Sequence, residues 1–108
     1  MFAFSRELFE HAAGHLDVFA AMVGQHSGTV FQQHLHRMLA ELIREDVEAR
    51  AARKKHDASQ VEAAVQFVAG GLIGLLVTWL NEMTRVPAAE LDDRFRRMAI
   101  PAVDAMLG

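Results

Sequence analysis

The segment 67–80, FVAGGLIGLLVTWL, constrains the fold of this chain more than any other, because its fourteen residues carry no charge. Extending it back to Ala63 gives eighteen residues in which only Gln66 and Thr78 are polar. A helix that is apolar on every side has to be covered by protein or by lipid. The segment therefore predicts a helix that needs a partner surface.

Three glycines, Gly70, Gly71 and Gly74, lie inside this segment. A glycine in a helix interior is about 1 kcal/mol less favourable than alanine, so it is best explained where another helix approaches closely. Gly70 and Gly74 lie on one face of a helix. Their spacing suits tight helix packing, either in a soluble dimer or in a bilayer.

A membrane span is the alternative for this helix. Eighteen residues rise about 27 Å, which is slightly short of the roughly 30 Å hydrocarbon core. Glu62 and Glu82 flank the segment without the Lys/Arg asymmetry that orients membrane helices. We therefore expect a water-soluble dimer with no membrane partner, and keep a membrane-associated helical bundle as the less favoured alternative.

Length and composition point to one small domain over residues 1–108, in which burial is incomplete without association. The net charge of −3 disfavours a nucleic-acid surface, and the cations at positions 50 and 53–55 suit the end of a helix dipole. There is no cysteine for a disulfide or a thiolate site. The N-terminus lacks a signal-peptide pattern, so we expect a cytoplasmic location.

The chain reads as four helices joined by short connections. The predicted helices cover residues 5–23, 29–54, 59–82 and 87–100. Residues 24–28 read as a turn, and Ser59 with Glu62 forms an S-x-x-E capping box. Pro87 suits a first helical position, and Pro101 is expected to end the last helix. The predicted fold class is therefore all-α.

Two ordered patterns stand in the second half of the chain. Residues 74–80 carry a loosened G-x-x-x-x-L-x-x-W-L pattern, and residues 87–91 read PAAEL, like a P-x-E-L helix start. Together with the helices of residues 8–43, they resemble the C-terminal regulatory domain of TetR-family transcriptional regulators. The resemblance covers nearly the whole chain.

The resemblance implies a homodimer, because in that family two helices of each subunit form an antiparallel four-helix interface. Carried onto this chain, the third and fourth predicted helices are the dimer helices. The expected dimer contacts are Gly70, Leu72, Gly74, Leu76, Phe95 and Met98. For each of them the alternative is an ordinary core residue within one chain.

The family also places a three-helix DNA-binding domain before this region, whereas this chain opens directly on the regulatory part. DNA is therefore an expected partner only through a domain absent from this chain, which is either an excised fragment or a natural protein without that domain. A small apolar or aromatic effector is expected to relieve DNA binding. No cofactor is implied.

The effector pocket is predicted between the first three helices, where His15 and His34 fall beside apolar residues. A few polar groups within an apolar, Met- and Phe-lined cavity are typical of small-molecule sites. The predicted lining is His15, Phe19, Met22, Phe31, His34, Met38, Leu75 and Trp79. The histidines are alternatively structural residues, and Trp79 alternatively closes the end of the bundle.

Catalytic and metal sites find little support. His11 and His15 have the i, i+4 spacing of a shared metal site, but none of the histidines follows a glutamate at E-x-x-H spacing. There is no glycine-rich phosphate loop, G-x-S-x-G motif or cysteine nucleophile. We therefore predict a non-enzymatic, effector-binding and dimerising domain of a TetR-like repressor. A ligand-free helical dimerisation module is the alternative.

Overall fold

A computed structural model describes residues 1–23, 29–52, 56–82 and 85–107. Its helices are α1 Phe4–Gly14, α2 Leu16–Val23, α3 Thr29–Ala51, α4 Ala58–Glu82 and α5 Ala88–Leu107. No strand occurs within those ranges, which confirms the all-α class. The predicted turn at residues 24–28 and the cations at 53–55 lie outside the described residues.

The first predicted helix is two helices, so five helices are described where the sequence predicted four. The chain leaves the α-helical conformation at His15, with φ −139° and ψ 47°, and the His15 amide donates to the Ala12 carbonyl over 3.1 Å. Gly14 precedes this break, and glycine is a weak helix former. The break turns α2 onto α3 and α4, a change of direction that the apolar spacing does not reveal.

The N-terminus of α4 has a capping box two residues earlier than predicted. Asp57 Oδ1 accepts hydrogen bonds from the Gln60 amide at 2.9 Å and from Ser59 Oγ at 2.5 Å. In return, Gln60 Oε1 accepts from the Asp57 amide at 3.2 Å. This reciprocal pair satisfies the free amides of the first turn, as a capping box does. The predicted role of Glu62 was wrong, because its carboxylate accepts from Arg44 at 2.8 Å instead.

The last helix does not end before Pro101. It continues through this proline to Leu107, although proline has no amide proton to donate to the preceding turn. Val103 and Leu107 are buried in the core, and Asp104 forms an ion pair with Arg50 of α3. These contacts hold the C-terminal turns of α5 against the body of the domain.

Aromatic side chains fill the centre of the domain between α1, α4 and α5. The ring of Phe9 lies 6.4 Å from Trp79 and 6.4 Å from Phe95, in edge-to-face geometry. Trp79 is 1 % exposed, and its indole N–H donates to the Val86 carbonyl over 2.9 Å. The polar atom of this tryptophan is thus satisfied within the chain.

Candidate functional site

An apolar groove runs between α4 and α5, and we call it the α4/α5 groove. It consists of two adjoining hollows of about 280 and 430 Å³ that share Phe67 and Val68. The lining from α4 is Ala63, Ala64, Phe67, Val68, Gly71, Gly74, Leu75 and Thr78. The lining from α5 is Phe95, Met98, Ala99, Ala102, Val103 and Met106. Thr78 supplies the one polar side chain among these residues.

Large apolar side chains on the groove are open to water. Phe67 is 70 % exposed, Met98 58 % and Met106 46 %. Single exposed apolar residues are common on protein surfaces, but a contiguous set marks a site of interaction. The groove therefore has the character of a contact surface.

The glycines of α4 are not required by packing within the chain. A Cβ added at Gly70, Gly71 or Gly74 would meet nothing within 4 Å. An alanine at these positions would favour the helix by up to about 1 kcal/mol each. Gly71 and Gly74 line the groove, and Gly70 is exposed. Close approach by a second molecule is one physical reason for glycine at these positions.

The apolar sequence of α4 is shared between two faces. Buried residues recur along one face at helical spacing, and they are Val65, Val68, Leu72, Leu76 and Trp79. Phe67, Gly71, Gly74 and Thr78 follow the other face, toward the groove. By length and composition α4 could cross a membrane, but 44 % of its most apolar window is buried inside the domain.

Of the six predicted dimer contacts, three line the groove, two lie in the core, and Gly70 is exposed outside the groove lining. Gly74, Phe95 and Met98 line the groove, and Phe95, which is 2 % exposed, is also part of the core. Leu72 and Leu76 are fully buried within the chain, so they belong to its own core and correct that part of the prediction. They point inward because they share the helical face of Trp79 and Val65, which packs against the rest of the domain.

Most of the groove lining was not among the predicted site residues, and Phe67 and Met106 are its two large, exposed members that the sequence reasoning missed. Phe67 was treated only as part of the apolar run, although it stands four residues before Gly71 and therefore on the same face. Met106 was missed because α5 was expected to end before Pro101. The i, i+4, i+7 series from Phe67 was the signal that could have located this face.

The predicted effector-pocket residues are spread over the domain. Leu75 lines the α4/α5 groove, and Trp79 lies in the core. Phe19 and Phe31 are half-buried against the core. The remaining predicted residues are exposed, and they are His15, Met22, His34 and Met38.

Two geometric reasons account for the exposed histidines. His15 lies at the break after α1, so it does not continue the buried face of that helix. His34 stands nine residues before Ile43, about two and a half turns, which places it on the side of α3 opposite this core residue. Neither His15 nor His34 lines the α4/α5 groove. The predicted pocket between the first three helices stays a prediction.

The histidines of α1 and its junction were the metal candidates. The rings of His11 and His15 lie 4.6 Å apart, with His15 Nδ1 3.1 Å from the His11 carbonyl oxygen. Among the residues described, no group of three or more His, Cys, Asp or Glu side chains is placed to hold a metal ion.

A polar chain joins α3 and α4 on another side of α4. Arg44 donates to both carboxylate oxygens of Glu62, at 2.9 and 2.8 Å, and Gln66 donates to Glu62 at 2.8 Å. His36 Nε2 lies 2.8 Å from Gln66 Oε1. The hydrogen bonds from Gln66 and Arg44 lower the pKa of Glu62. These exposed hydrogen bonds link α3 to α4.

The helices and the groove define a class of protein, an all-α domain with an exposed apolar helix pair suited to association. A family model described as a transcriptional regulator C-terminal region matches residues 1–101. The chain therefore belongs to the TetR family, as a C-terminal domain of a transcriptional regulator. No curated protein matches the chain. No solved structure matches it.

Proposed function

We propose that this domain dimerises a TetR-like transcriptional repressor and binds a small effector that relieves DNA binding. DNA is read in this proposal by a separate helix-turn-helix domain of the parent regulator. The observation that carries the proposal is the α4/α5 groove, with its exposed apolar side chains and its glycines. Two copies of α4 and α5 would form an intersubunit four-helix bundle.

The shape of the groove supports a second copy as its occupant. In a two-fold interface each surface meets its own copy, so a projecting side chain needs a hollow on the same face. Phe67 projects from α4, and one helical turn further the glycines Gly71 and Gly74 leave space beside it. Burying Phe67, Met98 and Met106 would remove from water the apolar surface that a single chain leaves open.

The assembly is tested by sedimentation velocity in dilute aqueous buffer without detergent. We expect a dimer at micromolar concentration. Gly74→Leu places a bulky side chain in the groove and should give a monomer. Gly14→Leu is the matched control, because a Cβ at Gly14 also meets nothing within 4 Å but Gly14 lies at the end of α1, away from the groove. A wild-type monomer would contradict the proposal, and a need for detergent would favour the membrane alternative.

The effector is tested by a thermal-shift screen of apolar and aromatic compounds. A ligand that binds only the folded state stabilises it by about 2.7 kcal/mol at a hundredfold excess over its dissociation constant. If the predicted pocket is used, His15→Ala or His34→Ala should reduce this shift more than it reduces the stability of the free protein. Equal losses with and without ligand would assign these histidines a structural role.

A second candidate is a dimerisation domain without an effector. The filled aromatic core around Phe9, Trp79 and Phe95 favours it, as does the exposure of His34 and Met38. A diverse screen without a hit, combined with a stable dimer, would support this candidate over the effector-binding domain.

A further inference from the structure

Phe2 combines a strained backbone with a buried side chain. Its φ is 61°, in the left-handed region that residues other than glycine rarely adopt. Its side chain is 0 % exposed, and its ring lies 6.4 Å from that of Phe4. A residue persists in such a conformation only where its surroundings hold it there, and such sites often belong to switching elements.

Hydrogen bonds from two distant helices hold this residue. The Phe2 amide donates to Asp46 Oδ2 of α3 over 2.8 Å. Arg96 of α5 donates to the carbonyl oxygens of Met1 at 2.6 Å and of Phe2 at 3.0 Å. Ser5 Oγ lies 2.8 Å from the Phe2 carbonyl and 2.5 Å from Asp92 Oδ1, again on α5. Residues 1–5 are thus tied to both α3 and α5.

One side chain connects this segment with the groove. The ring of Phe95 lies 5.9 Å from the ring of Phe2, and Phe95 also lines the α4/α5 groove. Asp92 lies three residues before Phe95 on α5, and Arg96 lies one residue after it. An occupant of the groove that holds α5 in place therefore supports the aromatic contact and the hydrogen bonds together.

We propose that residues 1–5 form a latch that is held more tightly when a second copy of the chain fills the α4/α5 groove. The proposal rests on the proposed function for its occupant. On release of the latch, Phe2 can return to a negative φ, so the segment has two distinct arrangements. Because coupling between two sites is reciprocal, weakening the latch must also weaken dimerisation.

The first test measures the latch directly. NMR follows the rate at which the backbone amide hydrogen of Ser5 exchanges with solvent. This amide donates to the Phe2 carbonyl over 3.2 Å. Exchange should become about tenfold faster when the wild-type dimer is diluted to monomer, as for the loss of a hydrogen-bonded contact to a charged group. Met98→Glu, which places a charge in the groove at an exposed position, should reproduce the monomer value at high concentration.

The second test uses the reciprocal effect on assembly. Asp46→Ala and Arg96→Gln each remove one set of latch hydrogen bonds, and each should raise the dimer dissociation constant about five- to tenfold. Glu45→Ala, at an exposed neighbour on α3, is the matched control and should leave the dissociation constant unchanged. Two latch variants are compared so that a folding defect in one does not decide the result.

The outcomes separate the two proposals. A wild-type chain that stays monomeric overturns the proposed function and the coupling built on it. A stable dimer whose Ser5 amide exchanges at the same rate after dilution overturns the latch alone. Latch variants with the dissociation constant of the wild type would overturn it as well.

Discussion

The two faces of α4 have similar apolar sequences and opposite fates. Leu72, Leu76 and Trp79 on the inner face are at most 1 % exposed, whereas Phe67 on the outer face is 70 % exposed. Hydrophobicity alone does not distinguish them, since both belong to one uncharged run. The inner face is covered by the rest of the domain, and Phe67 on the outer face is open to water. One apolar helix thus supplies both a core face and an exposed apolar face.

The strongest test of this comparison exchanges one large aromatic residue on each face. Trp79→Ala should lower the free energy of unfolding by about 3–5 kcal/mol, because it leaves a cavity in the core. Phe67→Ala should leave the unfolding free energy of the monomer within about 0.5 kcal/mol of the wild type. Urea denaturation at protein concentrations below the dimer dissociation constant measures the unfolding free energy of both variants. Similar losses for the two variants would mean that the faces are not distinct.

The next effect concerns association through the outer face. Phe67→Ala should weaken the dimer by about 2 kcal/mol, roughly thirtyfold in dissociation constant, as for an aromatic residue at the centre of an interface. Val30→Ala is the control, because Val30 is 79 % exposed but lies on α3, outside the groove. Sedimentation equilibrium measures the constants. An equal effect at Val30 would move the contact surface away from α4.

Alanine at the groove glycines should stabilise the folded monomer and weaken the dimer. Gly71→Ala or Gly74→Ala should stabilise the monomer by up to about 1 kcal/mol, because the added Cβ meets nothing within 4 Å. The same change should weaken the dimer, where a second helix needs the space. Denaturation and sedimentation of one variant are compared. Gly14→Ala, equally free of contacts, should leave the dimer unchanged, and tighter dimerisation of Gly74→Ala would contradict the prediction.

The smallest effect is a pH dependence at the start of α4. Hydrogen bonds from the Ser59 hydroxyl and the Gln60 amide lower the pKa of Asp57 from its ordinary value of 3.8. Because the folded pKa is below the unfolded one, this stabilisation is complete above pH 3.8 and is lost as the pH falls through the folded pKa.

Asp57→Asn provides the comparison for this pH dependence, because asparagine also caps a helix but does not titrate. The thermal midpoint of the wild type should fall further between pH 6 and pH 2 than that of this variant. The other carboxylates titrate in both proteins, so the difference isolates Asp57. Parallel curves would show that this cap does not couple folding to pH.

Local patterns predicted the elements better than their ends or their contacts. The uncharged run gave α4 because a long apolar segment has few alternatives. Gly74, Phe95 and Met98, three of the predicted dimer contacts, line one groove, and their role at an interface stays a prediction. The pocket predicted around His15 and His34 required α1 and α2 to form one straight helix. It also required His34 to lie on the same face of α3 as the buried residues. Neither condition is visible in spacing alone, so these residues could not be placed from the sequence.

The sequence by itself determined that the domain is helical, that α4 is its most apolar helix and that glycines lie along one side of it. These are local properties, since periodicity and propensity act within a few turns. Only the tertiary structure decided that α1 ends at Gly14, that α5 passes through Pro101, and that Phe2 is held by Asp46 and Arg96. The reason is that burial and hydrogen bonding there join residues distant in the chain, and their geometry exists only once the helices have packed.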